Sequence, residues 1–195
     1  MKKAKRFLTG LLSAALALSL CAMPAMAEDV TGETTPTAPL ASAIDKGAKG
    51  TITIHKYEYN GNDDKNGTGV AGDANNVPTD AKDLEGATFT YYQVMTADEL
   101  VEYYNGKSTE KVGIDTYVDK NGQILSAYAN KPNGSGKTGK NGIVKFGDGE
   151  TGLPVGLYVI IETETPAKVT TPVEPFLVSL PMANPTNKAE WMYDV

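Results

Sequence analysis

Residues Gly156–Thr163, reading Gly-Leu-Tyr-Val-Ile-Ile-Glu-Thr, constrain this chain more than any other stretch. The run is rich in β-branched and aromatic residues, and a strand sends alternate side chains to opposite faces. Leu157, Val159 and Ile161 then share one face, while Tyr158, Ile160 and Glu162 share the other. A carboxylate among large apolar side chains is costly unless it is paired or neutral. The first convincing strand, Thr51–Tyr57, poses the same problem with the opposite charge. There Ile52, Ile54 and Lys56 fall on one face. The two anomalies read as one site.

The start of the chain reads as a targeting segment. Lys2, Lys3, Lys5 and Arg6 precede an apolar run from Phe7 to Ala22, and Ala25-Met26-Ala27 has the small-x-small form of a cleavage site. The run is too short and too interrupted for a comfortable membrane span. Residues 1–27 are therefore expected to be a secretory signal peptide cut after Ala27. Removing four basic residues takes the net charge from −6 to −10 (−6 − 4). An acidic exported chain without a basic aromatic patch is a poor nucleic-acid binder. The single cysteine, Cys21, leaves with the signal. Such a domain must be held by its core, by a metal or by another covalent link.

Residues 28–49 are rich in Thr, Ala, Pro and Gly and read as a flexible leader or linker. Residues 50–195 read as one domain. Its strands are expected at about 51–59, 88–94, 143–146, 156–163 and 176–180, with a last one beginning at Trp191 and cut by the end of the sequence. Thr96-Ala97-Asp98-Glu99 has the capping-box pattern, which predicts a short helix to about Asn105. Asn121-Gly122, Asn133-Gly134 and Asn141-Gly142 read as turns. Many short strands with one helix and long loops argue for an all-β sandwich.

Lys56 and Glu162 carry the candidate chemistry. An apolar interior disfavours the charged form of both groups. A neutral amine is a nucleophile, and a protonated carboxyl can polarise an amide carbonyl and shuttle protons. With an Asn side chain as third partner, the product is a Lys–Asn isopeptide bond and ammonia, made once. A structural salt bridge, or a Lys56 that snorkels past the strand edge, is the plainer alternative.

Other patterns are weaker. Asn62, Asp64, Asn66, Gly67 and Asp73 fall on a calcium-loop template, but without its first Asp, its last Glu or its flanking helices. Gly134-Ser135-Gly136-Lys137-Thr138 lacks the strand–loop–helix context of a phosphate loop. His55, the sole histidine, reads as a solvated strand residue. Tyr91, Tyr92, Tyr103 and Tyr104 mark either a binding surface or the join between a strand and its covering helix. No metal or other cofactor is expected.

Lys49–Tyr57 resembles the opening strand of the N-terminal domain of Gram-positive pilus shaft subunits. Leu153–Thr163 resembles that family's E-box strand, Pro172–Pro185 the segment after it, and Trp191–Val195 the approach to the pilin motif. The resemblance implies an Ig-like sandwich, secretion, and covalent joining of subunits by a sortase into a cell-wall pilus supporting adhesion. It gives Lys56 the role of isopeptide lysine and Glu162 that of assisting acid. The family's Tyr-Pro-Lys-Asn motif, with the polymerising lysine and an Asn acceptor, would lie past Val195. Asn184 is the nearest substitute acceptor, although its Asn-Pro context suits a turn. The expected role is structural rather than enzymatic, at most one intramolecular turnover. The implied partners are neighbouring subunits, and host matrix proteins or glycans for the adhesion role, with no nucleic acid and no membrane span in the mature chain. Two rivals stay open: a wall-anchored ligand-binding module on the same sandwich, and a secreted hydrolase or calcium-dependent enzyme.

Overall fold

The computed structural model describes residues 39–58, 77, 80–109, 111–147, 151–167, 169, 172–187 and 189–195. The expected signal peptide with Ala27, and Asn62, Asp64, Asn66, Gly67 and Asp73, lie outside the described residues.

The fold is the expected β-sandwich. One layer is an antiparallel sheet in the order β10-β9-β5-β6, formed by Phe176–Leu180, Gly156–Glu164, Thr88–Met95 and Asn133–Lys137. The opposing layer is built on the first strand, which is broken into β1 (Lys49–Gly50), β2 (Ile52–His55) and β3 (Tyr57–Glu58). These pieces pair in turn with β8 (Leu153–Pro154), β7 (Ile143–Phe146) and β4 (Lys82–Asp83). Phe89, Tyr158, Ile160, Val178 and Leu180 meet Ile52, Ile54, Val144 and Phe146 between the layers.

The other face of the four-stranded sheet is covered as well. Helices α1 (Ala97–Tyr104) and α2 (Ile114–Tyr117) close a second core containing Leu100, Tyr117, Leu157, Val159, Ile161 and Leu177. The alternation read from β9 is thus real on both sides, since its odd residues enter one core and its even residues the other. In β5 the alternation slips. A register shift between Gln93 and Met95 lets consecutive residues Val94 and Met95 join the same core, as a bulge does.

Helix α1 starts as its sequence dictates. The Thr96 hydroxyl accepts the Glu99 N–H, and the Glu99 carboxylate accepts the Thr96 N–H at 2.6 Å. Gly106, at φ +67°, follows the helix end in the left-handed conformation that favours glycine. These hydrogen bonds, chiefly from the Thr96 backbone, hold the Glu99 carboxyl below its ordinary value of 4.5. A depressed carboxyl supplies stability above its unfolded-state pKa and loses it as pH falls through the folded-state pKa. Wild-type stability should therefore fall below about pH 4.5 by an increment that Glu99→Gln, which removes the titrating carboxyl, abolishes. At neutral pH, Thr96→Ala should cost about 1 kcal/mol in a urea titration.

Three expectations need correction. The linker read over 28–49 does not extend through its described part. Ala41 and Ile44 are buried, Asp45 N–H donates to the Tyr193 hydroxyl, and the Leu40 carbonyl accepts from Trp191 Nε1. Asn133-Gly134 is no turn but the start of β6, where a Gly134 Cβ would lie 2.7 Å from the Tyr91 ring. The final segment is not one strand: β12 (Trp191–Met192) pairs with β11 (Met182–Ala183) in an antiparallel pair. Tyr193–Val195 then runs parallel to Thr51–Thr53.

Candidate functional site

Lys56 sits in the gap between β2 and β3, and its backbone is held on both sides. Its N–H donates to the Gly142 carbonyl at 2.8 Å, and its carbonyl accepts the Leu84 N–H at 3.0 Å. Gly142 lies at φ +68°, and a Cβ there would stand 2.5 Å from the Lys56 carbonyl oxygen. Only glycine fits this turn and this approach together. The clamp sends the Lys56 side chain the same way as Ile52 and Ile54, toward the opposing sheet.

Glu162 arrives from that sheet, two residues after buried Ile160 on β9. Lys56 Nζ lies 3.0 Å from Glu162 Oε2, and the two side chains are 8% and 0% exposed. The pair is therefore sealed from water at the edge of the inter-sheet core. Glu162 Oε2 accepts a second donor, the Val173 N–H, at 2.7 Å. Glu162 Oε1 is buried and has no hydrogen-bond partner among the described residues. Snorkelling of Lys56 is excluded by this geometry. A buried amine and a half-satisfied buried acid in contact can hold charge, or can exchange a proton with each other or with a third polar group brought against them.

On the same face, Tyr158 donates to the Pro154 carbonyl. Burial, with Tyr91 nearby, pushes its hydroxyl well above the ordinary tyrosine range. It is a neutral donor that anchors the turn leading into β9.

Residues 47–195 match the family described as Gram-positive pilin subunit D1, N-terminal domain. The chain belongs to that family. The chain is also 36% identical over 187 residues to fimbrial subunit type 1 of Actinomyces viscosus, a match covering 94% of this chain and 31% of the relative. It is 29% identical to fimbrial subunit type 2 of Actinomyces naeslundii, covering 81% of this chain and 31% of that one. The fimbrial protein FimP from Actinomyces oris superposes with a TM-score of 0.53 at 30% identity, over 80% of this chain and 30% of FimP. The chain thus spans about a third of the length of the curated relatives it matches.

Other residues singled out in the sequence fall elsewhere in the pilin domain. Asn184 does not reach the site. Its side-chain oxygen accepts the Thr186 and Asn187 N–H groups, closing the turn between β11 and β12. Its Asn-Pro sequence wins over a role as acceptor. Gly134–Lys137 lies in an extended edge strand, so no phosphate loop exists there. His55 is exposed and stacks on Tyr57 at 6.5 Å. The four tyrosines split. Tyr91 packs edge-on against Phe146 and Tyr158 in the inter-sheet core, whereas Tyr104 contacts Tyr103 and Trp191 beside the helix. They fill joins rather than form one surface. Among the described residues, no three His, Cys, Asp or Glu side chains gather as a metal site. No helix among them is long and apolar enough to cross a membrane.

The Val173 N–H was not foreseeable as part of the site. Main-chain groups leave no residue-type signal. The only trace is Pro172-Val173-Glu174-Pro175, whose prolines favour an extended backbone.

Proposed function

We infer that this chain is the N-terminal domain of a structural shaft subunit of a covalently assembled Gram-positive pilus. The subunit is exported, joined by a sortase to neighbouring copies and fixed at the cell wall, where the fibre supports adhesion. The domain is not a turnover enzyme. Its one reaction is intramolecular: Lys56 and Glu162 close an isopeptide bond with an Asn side chain, and the bond makes the sandwich resistant to pulling.

The observation that carries this reading is the sealed contact between Lys56 Nζ and Glu162 Oε2 beside a partnerless Oε1. A structural ion pair would be better served by satisfying both oxygens. The parallel ladder adds support. Thr51 stands opposite Asp194, and both strands advance together. Lys56 is five residues after Thr51 (56 − 51), so a chain continuing in that register draws level with Lys56 about five residues past Asp194.

Intact mass of the subunit at its full natural length tests the reaction. The mass should fall short of the sequence value by about 17 Da, one ammonia lost as the Lys56 amine displaces an Asn amide. Lys56→Ala and Glu162→Ala should each restore full mass. Full mass in the wild type, or a deficit that survives Lys56→Ala, refutes the crosslink; a deficit that survives Glu162→Ala refutes the role of Glu162 in it.

A further inference from the structure

We propose that the backbone N–H of Val173 is the positioning group of this reaction, dividing the work between the two Glu162 oxygens. The inference rests on the crosslinking reading above. Oε2 already accepts two donors, Lys56 Nζ at 3.0 Å and Val173 N–H at 2.7 Å. A carboxylate oxygen so occupied has no room for a proton of its own while both bonds stand. A proton held by the carboxyl therefore sits on Oε1, the buried oxygen with no partner.

This asymmetry orders the proton transfers. The Lys56 amine attacks the side-chain carbonyl carbon of the acceptor amide, forming the new C–N bond. Oε1 gives its proton to the amide, assisting departure of its nitrogen as ammonia as the old C–N bond breaks. Oε2 takes the surplus proton from Nζ as the Lys56 contact changes from donor to covalent amide. The carboxyl ends with one proton, as it began. No oxidant, metal or second substrate enters.

Without the Val173 N–H, the carboxyl can rotate and place its proton toward Lys56. The amine then faces a donor instead of an acceptor, and the acceptor amide faces a bare oxygen. Val173 can hold this place because Pro172 and Pro175 fix the segment on either side of it. A loop free to relax would let the carboxylate turn.

The test uses the subunit at its full natural length, translated cell-free, with intact mass followed over time. In one variant Val173 is replaced by its α-hydroxy acid counterpart, which turns the Pro172–Val173 amide into an ester, puts an oxygen in place of the N–H and keeps the side chain. Closure in its folded fraction should slow roughly 10- to 100-fold, the usual effect of losing a group that orients a functional one. Val173→Ala keeps the N–H and should close at the wild-type rate. A folded ester variant that closes as fast as wild type overturns the proposal. So does Val173→Ala slowed as much as the ester, because the side chain would then be responsible. A wild-type subunit that never loses ammonia refutes the crosslink itself and this proposal with it. Amide exchange in the native 195-residue chain gives a check without the ester. Val173 should be protected in the wild type and lose protection in Glu162→Ala; a Val173 amide that exchanges freely in the wild type overturns the assignment.

Discussion

In the 195-residue chain, Glu162→Ala is expected to lower the free energy of unfolding by about 3–5 kcal/mol, the usual cost of stranding one member of a buried ion pair. The substitution leaves Lys56 Nζ without its partner at a site where the side chain is 8% exposed, and it takes the acceptor from the Val173 N–H. Lys56→Met strands Glu162, whose side chain is 0% exposed, and should cost a similar amount even though the Val173 N–H still partners the carboxylate. The double variant Lys56→Met/Glu162→Leu should recover most of the loss, since well-packed apolar pairs commonly equal or exceed the ion pairs they replace. With Glu162→Leu made alone as well, urea titrations of wild type, Lys56→Met, Glu162→Leu and the double variant form a double-mutant cycle. A double variant at least as stable as wild type would mean that the pair is kept for chemistry rather than for the stability of the unlinked fold. A strongly destabilised double variant would mean that the pair is itself a structural device.

The cycle bears on how the site could be read from sequence at all. Strand period two placed Lys56 with Ile52 and Ile54, and Glu162 with Tyr158 and Ile160. A charge on an inward face is an anomaly visible without coordinates, and two of opposite sign suggest each other. The helix was equally legible, because Thr96 and Glu99 satisfy each other's backbone groups locally. What escaped depends on distant partners. Strand β6 has the composition of a loop, yet the rings of Tyr91 and Phe146 lie where side chains at Gly134 and Gly136 would stand. Residues 39–48 look like a linker because they belong to a stretch rich in Thr, Ala, Pro and Gly with few large apolar residues. Ala41 and Ile44 are nonetheless buried, and Ile44 joins the helix-side core. The parallel pairing of Tyr193–Val195 with Thr51–Thr53 joins residues 143 positions apart, as the Thr51–Asp194 side-chain bond shows. No local pattern encodes such a partner.

That pairing rests on Gly50, and Gly50→Ala should have the second large effect. A Cβ at this position would stand 1.8 Å from the Tyr193 carbonyl oxygen and 2.8 Å from its carbonyl carbon. Both obstacles are backbone, so no side-chain rotation relieves them. The first strand is tied to β8 and β7 on its other side, which leaves Tyr193–Val195 as the part that must yield. Three backbone bonds go with it: Thr51 N–H to Tyr193 O, Val195 N–H to Thr51 O, and Thr53 N–H to Val195 O. Their combined loss should cost about 2–4 kcal/mol. Hydrogen exchange locates the effect. The Thr51 and Thr53 amides should exchange faster, while the Lys56 amide, bonded to Gly142, keeps its protection. Gly47→Ala, whose Cβ would meet only the Asp45 side chain at 3.4 Å, should leave both unchanged. At full natural length, Gly50→Ala should also reduce crosslink yield, because the strand that would bring the acceptor to Lys56 no longer seats in register. Unchanged exchange at Thr51 and Thr53 would show that the final strand does not depend on Gly50, and the register argument for the acceptor would lose its footing.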